Sequence, residues 1–530
     1  MIAKIFPQLS EYYNFLSRRL IPVRRHFGSA IVALAFASGC ASVDLEQPKE
    51  ASYFYSGTQN TYLGQASATW RAASPNKNGF YPLIYGMDAF GARLKMMDWA
   101  ERSIDAQYFL MKPDVAGIVF STKLYQAAER GVRVRLLIDD IFTTVDDRLF
   151  VLLNDHPNIE LRIFNPISRQ GLFALNYAGH FRLANRRMHN KSFIVDDQMA
   201  IVGGRNIAME YFQLDSSGEF VDFDMLSAGP VVNVVSAAFD RYWNHKLAVP
   251  FEQIYERHYQ EEMRELRDAV VAQMREAGDS VYASAIHTKL IDNLVSGHVN
   301  PVIADAEVVV DDPEKLLNAV TVDQKIVANR LADAFLAAKE EAIVFTPYFI
   351  PSERSLAIMD QAVANGVRIV LITNSLASNN HTAVHSAYSS YRKRLLEAGV
   401  ELWEARANAA EVVKADGSTQ LEHLTLHTKG AILDRRLTFV GSLNLDPRSI
   451  DIDSETGLLI DSPELGGALA EVAMERIPDI AYRLLLDANG RITWHAVIDG
   501  EKVVETSEPN ASLWRRLTAW VLKIVPEGQL

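Results

Sequence analysis

Two stretches of the chain repeat one pattern of apolar and polar positions. In the first, Asp88–Ser103 (DAFGARLKMMDWAERS) has apolar residues recurring at three and four positions, which predicts a helix with one buried face. The apolar and aromatic run Ile104–Leu110 (IDAQYFL) that follows predicts a buried strand. Ala127–Asp140 (AAERGVRVRLLIDD) then reads as a helix end, a glycine turn and a β-branched strand. The same order returns in Val322–Glu341, Ile343–Ile350 (IVFTPYFI) and Ala362–Asn374 (AVANGVRIVLITN), with Gly131 and Gly366 separated by 235 positions. Strand, helix, glycine turn and strand make a βαβ unit. The expected architecture is therefore two similar α/β halves, each a mixed, mostly parallel sheet flanked by helices, related by a pseudo-twofold axis.

The pattern also sets boundaries. The halves are expected at 76–250 and 322–485, joined by a connector at 251–321 that opens with a charged amphipathic helix, Phe251–Gly278. Residues 486–530 form a C-terminal extension. Within it, Ile492–Pro509 alternates around Asp499-Gly500 and predicts a hairpin. Leu513, Leu517, Trp520, Val521 and Ile524 share one face of a final helix, expected to pack against the body.

A second matched pair carries the chemistry. Arg186–Asn206 (RRMHNKSFIVDDQMAIVGGRN) is echoed by Leu424–Asn444 (LTLHTKGAILDRRLTFVGSLN), with His189 and His427 separated by 238 positions. His189 and Lys191, like His427 and Lys429, are two apart in an extended segment, so both side chains leave one face. An imidazole beside an ammonium suits an anion. Asp196 and Asp434 fall at turns before a second apolar strand and are expected to fix the hairpin. After the return strands, Gly203 and Asn206, and Ser442 and Asn444, are candidate phosphate-binding residues, because small residues let backbone amides approach and an amide donates without adding charge.

Composition narrows the substrate. Over 530 residues, 53 Lys and Arg face 66 Asp and Glu, a net charge of −13, which gives no broad attraction to nucleic acid. The single cysteine, Cys40, excludes internal disulfides and a cysteine-rich metal site. It follows a basic stretch (Arg18, Arg19, Arg24, Arg25), a short apolar run (Gly28–Phe36) and Ala37-Ser38-Gly39, the form of a secretory signal in residues 1–40. Residues 41–75 read as a polar tether. The ending resembles a bacterial lipobox, which implies acylation of Cys40 and a membrane-anchored lipoprotein of the bacterial cell envelope, facing the periplasm or exterior.

The duplicated HxKxxxxD motif followed by GxxN or GSxN resembles the phospholipase D superfamily over about Tyr81–Leu485. The resemblance implies the phospholipase D-like fold and a two-step reaction. One histidine attacks phosphorus to form a phosphohistidine; the other protonates the leaving alcohol and then deprotonates the acceptor. By analogy His189 is the nucleophile and His427 the general acid and base, with Lys191 and Lys429 beside them. The family also orients each histidine with a carboxylate. Glu455 matches in the second half and Asp224 in the first, with Asp222 in competition. Neither metal nor cofactor is implied. The arrangement is similar to bacterial cardiolipin synthases, which implies phospholipid substrates and phosphatidyl transfer to phosphatidylglycerol. Phospholipase D-type hydrolysis, of lipid or less plausibly of nucleic acid, is the alternative.

Overall fold

The computed structural model describes residues 43–141, 147–168, 176–177, 179–214, 219–254, 281–296, 300–413, 419–524 and 527–529. Cys40, the signal segment and most of the expected connector helix lie outside the described residues.

The first half begins with β1 (Asn78–Leu83) and the lead-in helix α1 (Gly86–Trp99). Next come β2 (Ser103–Tyr108), α2 (Val115–Glu129), β3 (Arg133–Asp139) and β4 (Ile159–Phe164). Asp114 starts α2 by accepting from the Gly117 N–H at 3.0 Å. The helix ends into Gly131, whose φ of +90° is a conformation that side-chain-bearing residues rarely adopt. β2, β3 and β4 are parallel. The hairpin β5 (Ser192–Val195) and β6 (Met199–Gly203) lies antiparallel on β2. It is followed by β7 (Glu219–Val221), β8 (Asp224–Ala228), α3 (Pro230–Trp243) and β9 (Ala248–Pro250).

The second half repeats this. After β10 (Val302–Val310) come α4 (Ile326–Ala337), β11 (Glu341–Phe345), α5 (Glu353–Ala364), β12 (Arg368–Asn374), α6 (Thr382–Tyr388) and β13 (Glu401–Ala405). β11, β12 and β13 are parallel, and the turn between α5 and β12 again holds a glycine, Gly366, at φ +87°. β14 (Leu424–Leu426) precedes the hairpin β15 (Gly430–Leu433) and β16 (Leu437–Gly441), which lies antiparallel on β11. β17 (Thr456–Asp461) and α7 (Pro463–Ile480) complete the repeat.

The two-half α/β architecture thus stands, with parallel pairing inside the large sheet confined to the three-strand centre of each half. Both motif strands return through hairpins, and a hairpin can pair only antiparallel. β10, inside the expected connector, is a structural strand. It pairs with β1 (Asn78↔Ala304) and with β17 (Val310↔Thr456), so both halves belong to one eighteen-stranded sheet. Behind this junction Phe80, Met188, Val202, Val440, Leu458 and Ile460 form a core drawn from both halves. Burying such side chains contributes roughly 1.5–3 kcal/mol each, which fixes one half against the other.

The C-terminal extension adds β18 (Ala481–Leu486), β19 (Ile492–Ile498) and β20 (Glu501–Glu505), the last two joined through Asp499 and Gly500, both at positive φ. The final helix α8 (Leu513–Leu522) forms, but its orientation corrects the expectation. Only Ala519 is buried, while Leu513, Trp514, Trp520 and Ile524 are 82%, 76%, 70% and 84% exposed. The small face docks on α6, where the Ser386 hydroxyl donates to the Ala519 carbonyl, and the large apolar side chains point outward.

Candidate active site

Each histidine is placed by a backbone contact that crosses between the halves. β7 of the first half pairs in parallel with β14 of the second, with Val221 opposite Leu426. The next residues, Asp222 and His427, therefore stand side by side, and the His427 N–H donates to the Val221 carbonyl at 2.8 Å. On the other side Met188 bridges Ser454 in parallel, which sets His189 beside Glu455, and the His189 N–H donates to the Ser454 carbonyl at 3.0 Å. The two constructions match, related by the pseudo-twofold axis.

The side chains repeat the exchange. His189 Nδ1 is 3.0 Å from Glu455, and His427 Nδ1 is 2.6 Å from Asp222. At His189 an ionised carboxylate can only accept, which assigns the ring proton to Nδ1 and leaves the Nε2 lone pair for other chemistry; at His427 the Lys429 ammonium also lies 2.9 Å from Nδ1, so that nitrogen sits between an acceptor and a donor. Glu455 also accepts from the hydroxyls of Ser442 and Ser449. Lys191 donates to the His189 carbonyl at 2.6 Å and Lys429 to the His427 carbonyl at 2.5 Å, and Lys429 Nζ lies 3.1 Å from His427 Nε2. Phe109 meets the His189 ring edge-on, Phe220 stacks on His427 at 5.2 Å, and Tyr211 and Tyr348 meet its edge.

The electrostatic surroundings of each imidazole include groups of both halves. Burial, then Lys191 and Lys429, push the His189 imidazole well below its ordinary value. Burial, Lys429, Lys191 and His189 itself do the same to His427. Each imidazole therefore feels the lysines of both halves, and both are held neutral in the free protein. Burial lowers Lys191 to about 7 and Lys429 to about 8, and raises Glu455 to about 7 and Asp222 above the ordinary carboxylate range. Two buried lysines with weakened protons and two neutral imidazoles form an anion site. An anion entering it would offset the lysine charge and raise the affinity of an imidazole for a proton.

The remaining candidate residues sort clearly. Asp196, at φ +54°, accepts from the backbone N–H groups of Glu101, Arg102 and Ser103; Asp434, at φ +50°, accepts from those of Lys339, Glu340 and Glu341. Both tie the motif hairpin to the start of its neighbouring strand, away from the imidazoles. Asn206 is engaged by the Leu110 N–H and the Tyr211 hydroxyl. The buried Oδ1 of Asn444 has no hydrogen-bond partner among the described residues, but that oxygen can only accept, so a contact with an anion would fall to its amide nitrogen.

Three assignments are corrected. Asp224 orients no histidine; it is consumed by a buried ion pair with Arg93 at 2.9 Å and by Arg205. The backbone leaves the sheet between β7 and β8, so Asp222 turns across to the second half while Asp224 faces its own. Gly203 is no phosphate cradle, since a Cβ there would lie 2.1 Å from Asp224 Oδ1. Ser442 spends its hydroxyl on Glu455. Tyr348 stands beside His427 at the site, and Tyr108, fully buried, bonds Arg93 instead. Ser449, Phe109, Phe220 and Tyr211 went unread in the sequence. Gly204 was an available signal: a Cβ there would lie 2.2 Å from Asp222 Oδ1, so the second glycine of the pair marks where that carboxylate must pass.

Comparison with known proteins finds the same two-half organisation. A family described as "Cardiolipin synthase, PLD-like domain" matches twice, at residues 94–243 and 331–476, once in each half. Cardiolipin synthase C of Escherichia coli (strain K12) is 35% identical over 455 residues, covering 85% of this chain and 96% of that protein. Cardiolipin synthase A of Serratia proteamaculans (strain 568) is 24% identical over 77% of this chain and 71% of that one. Among solved structures, a phosphatidylserine synthase of Haemophilus influenzae Rd KW20 superimposes with a TM-score of 0.52 at 16% identity, over 78% of this chain and 91% of that one, a likeness of fold.

Proposed function

Because this chain belongs to the cardiolipin synthase, PLD-like domain family and is a transferase of the phospholipase D superfamily, we propose that it makes a diphosphatidylglycerol by passing a phosphatidyl group through a phosphohistidine. The observation that supports the reading most is the crossed pair of imidazoles, each held at Nδ1 by a carboxylate of the opposite half and flanked by both lysines.

In the first step His189 Nε2 attacks the phosphorus of a donor phospholipid. The bond from phosphorus to the headgroup oxygen breaks, and His427 gives that oxygen a proton, releasing glycerol or ethanolamine. In the second step the neutral His427 takes the proton of a phosphatidylglycerol hydroxyl, whose oxygen attacks phosphorus and breaks the N–P bond. Charge developing on the phosphoryl oxygens is met by Lys191, Lys429 and the amide of Asn444. Glu455 and Asp222 keep each ring in the tautomer these steps require, with Ser442 and Ser449 holding Glu455.

We propose further that residues 76–250 and 322–485 are the two catalytic halves, and that an acylated Cys40 holds them at a membrane of the bacterial cell envelope. Among the described residues no helix is long and apolar enough to cross a membrane. Protein supplied with phosphatidylethanolamine and phosphatidylglycerol, followed by lipid mass, tests the reaction. Diphosphatidylglycerol is expected. Phosphatidic acid as the sole product would replace transfer with hydrolysis.

A further inference from the structure

The helix α8 (Leu513–Leu522) carries its apolar face away from the protein. At 100° per residue, Trp520, Leu513, Ile524, Leu517, Val521 and Trp514 fall within one arc of about 120°. All six are exposed, while Ala519 and Arg515, on the far side, make the contacts with the body. A helix with large apolar residues outward and its small residue inward is not completing a core.

Its charge points to the occupant. Residues 511–526 contain no acid, and Arg515, Arg516 and Lys523 lie on the helix or at its end, in a chain whose net charge is −13. Tryptophans on the apolar arc with basic residues beside it are the composition of a helix lying in a bilayer interface, where indole rings sit at headgroup level and cations meet anionic lipid. A second copy of the chain suits the surface less well. A ten-residue helix is about 15 Å long and presents a strip of roughly 150 Å², against the ~800 Å² per partner of a stable protein interface.

The helix is also tied to the reaction centre. Arg515 donates to the Asn379 carbonyl, and Asn380 accepts from the Tyr348 hydroxyl at 2.8 Å. Tyr348 in turn meets the His427 ring. Between α8 and this loop lies a cleft of about 490 Å³ lined by Asn379, Asn380, His423, Trp514 and Arg515. We propose that α8 docks on an anionic phospholipid surface, lying in its interface by the Trp514, Leu517, Trp520 and Ile524 face, with the cleft beside it opening towards the lipid. The proposal deepens the phospholipid-transfer reading and rests on it for the identity of the surface.

Tryptophan quenching tests this without using catalysis. Full-length protein is reconstituted with vesicles of phosphatidylcholine containing brominated phosphatidylglycerol, and tryptophan emission is recorded. Strong quenching is expected, most of it lost in a Trp514→Phe/Trp520→Phe variant, because the other five tryptophans lie elsewhere in the chain. Leu517→Glu/Ile524→Glu should cut the quenching about tenfold while the melting temperature stays unchanged, since both side chains are exposed. Quenching that persists in this variant, that is absent from the parent, or that is equal in vesicles of brominated phosphatidylcholine alone would overturn the proposal. So would a concentration-dependent dimer, formed without lipid and abolished by the same substitutions. Quenching without diphosphatidylglycerol synthesis would keep the docking surface and reject the reaction; synthesis without quenching would do the reverse.

Discussion

His189 and His427 occupy equivalent positions in duplicated halves, yet their surroundings differ. His189 leans on Glu455, which two serine hydroxyls and a raised proton affinity tune further, and among the described residues it has one aromatic neighbour, Phe109. His427 leans on Asp222, with Lys429 against its ring, Phe220 stacked on it and Tyr211 and Tyr348 at its edges. Duplication alone would give two identical groups, whereas the phosphohistidine route proposed above needs an attacking nitrogen and a proton carrier. On that proposal the partners carry the division of labour, and since each comes from the opposite half, neither half would hold a complete site alone.

The largest effects should come from the rings. His189→Ala and His427→Ala should each lower turnover by about 10⁴-fold or more, with folding intact by circular dichroism. Comparable turnover in either variant would mean that the halves act independently. The carboxylates come next. Glu455→Gln and Asp222→Asn should each cost about 10²-fold in kcat, and the nitrogen NMR signals should show Glu455→Gln altering the His189 tautomer and Asp222→Asn that of His427. The reverse pairing would break the crossed arrangement. Glu455→Gln should also raise the melting temperature at pH 8. Burial raises the Glu455 proton affinity from 4.5 to about 7, so the stability it contributes is present below pH 4.5 and lost as pH passes about 7, leaving an ionised carboxylate that glutamine removes.

A smaller effect is expected from pH. Lys191 and Lys429 lose their charge as pH rises through about 7 and about 8, so kcat/KM should fall several-fold by about pH 9, where the cations that meet phosphate are neutral. A flat profile across that range would remove the lysines from phosphate binding. The smallest effects should come from the hairpin aspartates, and here the halves differ again. Asp196 is buried and Asp434 partly exposed. Asp196→Ala should cost about 2 kcal/mol and Asp434→Ala about 1 kcal/mol by denaturant unfolding, with kcat nearly unchanged in both.

Much of this was legible along the chain. The repeated glycines Gly131 and Gly366 announced both βαβ units because only their backbone conformation was at stake, a local property. The histidines, lysines and turn aspartates were legible for the same reason, each being defined by spacing within one hairpin. What escaped depended on the other half. Glu455 could be read as a histidine partner, but nothing near it in sequence says that its histidine lies 266 positions away. Asp222 and Asp224 differ only in which side of a two-residue break they face. β10 looked like linker because only three of its nine positions are buried, its apolar residues being spent towards the two ends where it joins the halves. The apolar stripe of α8 was legible, but not that it faces outward, which depends on how Ala519 docks on α6.

The most direct test is a search for the covalent intermediate in the His427→Ala protein. His427→Ala removes both the acid of the first step and the base of the second, so a donor whose leaving group needs no proton, a p-nitrophenyl phosphatidyl ester, should leave a phosphatidyl group on the nitrogen of His189, detectable as an alkali-stable, acid-labile adduct on the peptide containing Arg186–Asn206. An adduct on His427 in the His189→Ala protein, or product formation with no adduct on either peptide, would contradict the account.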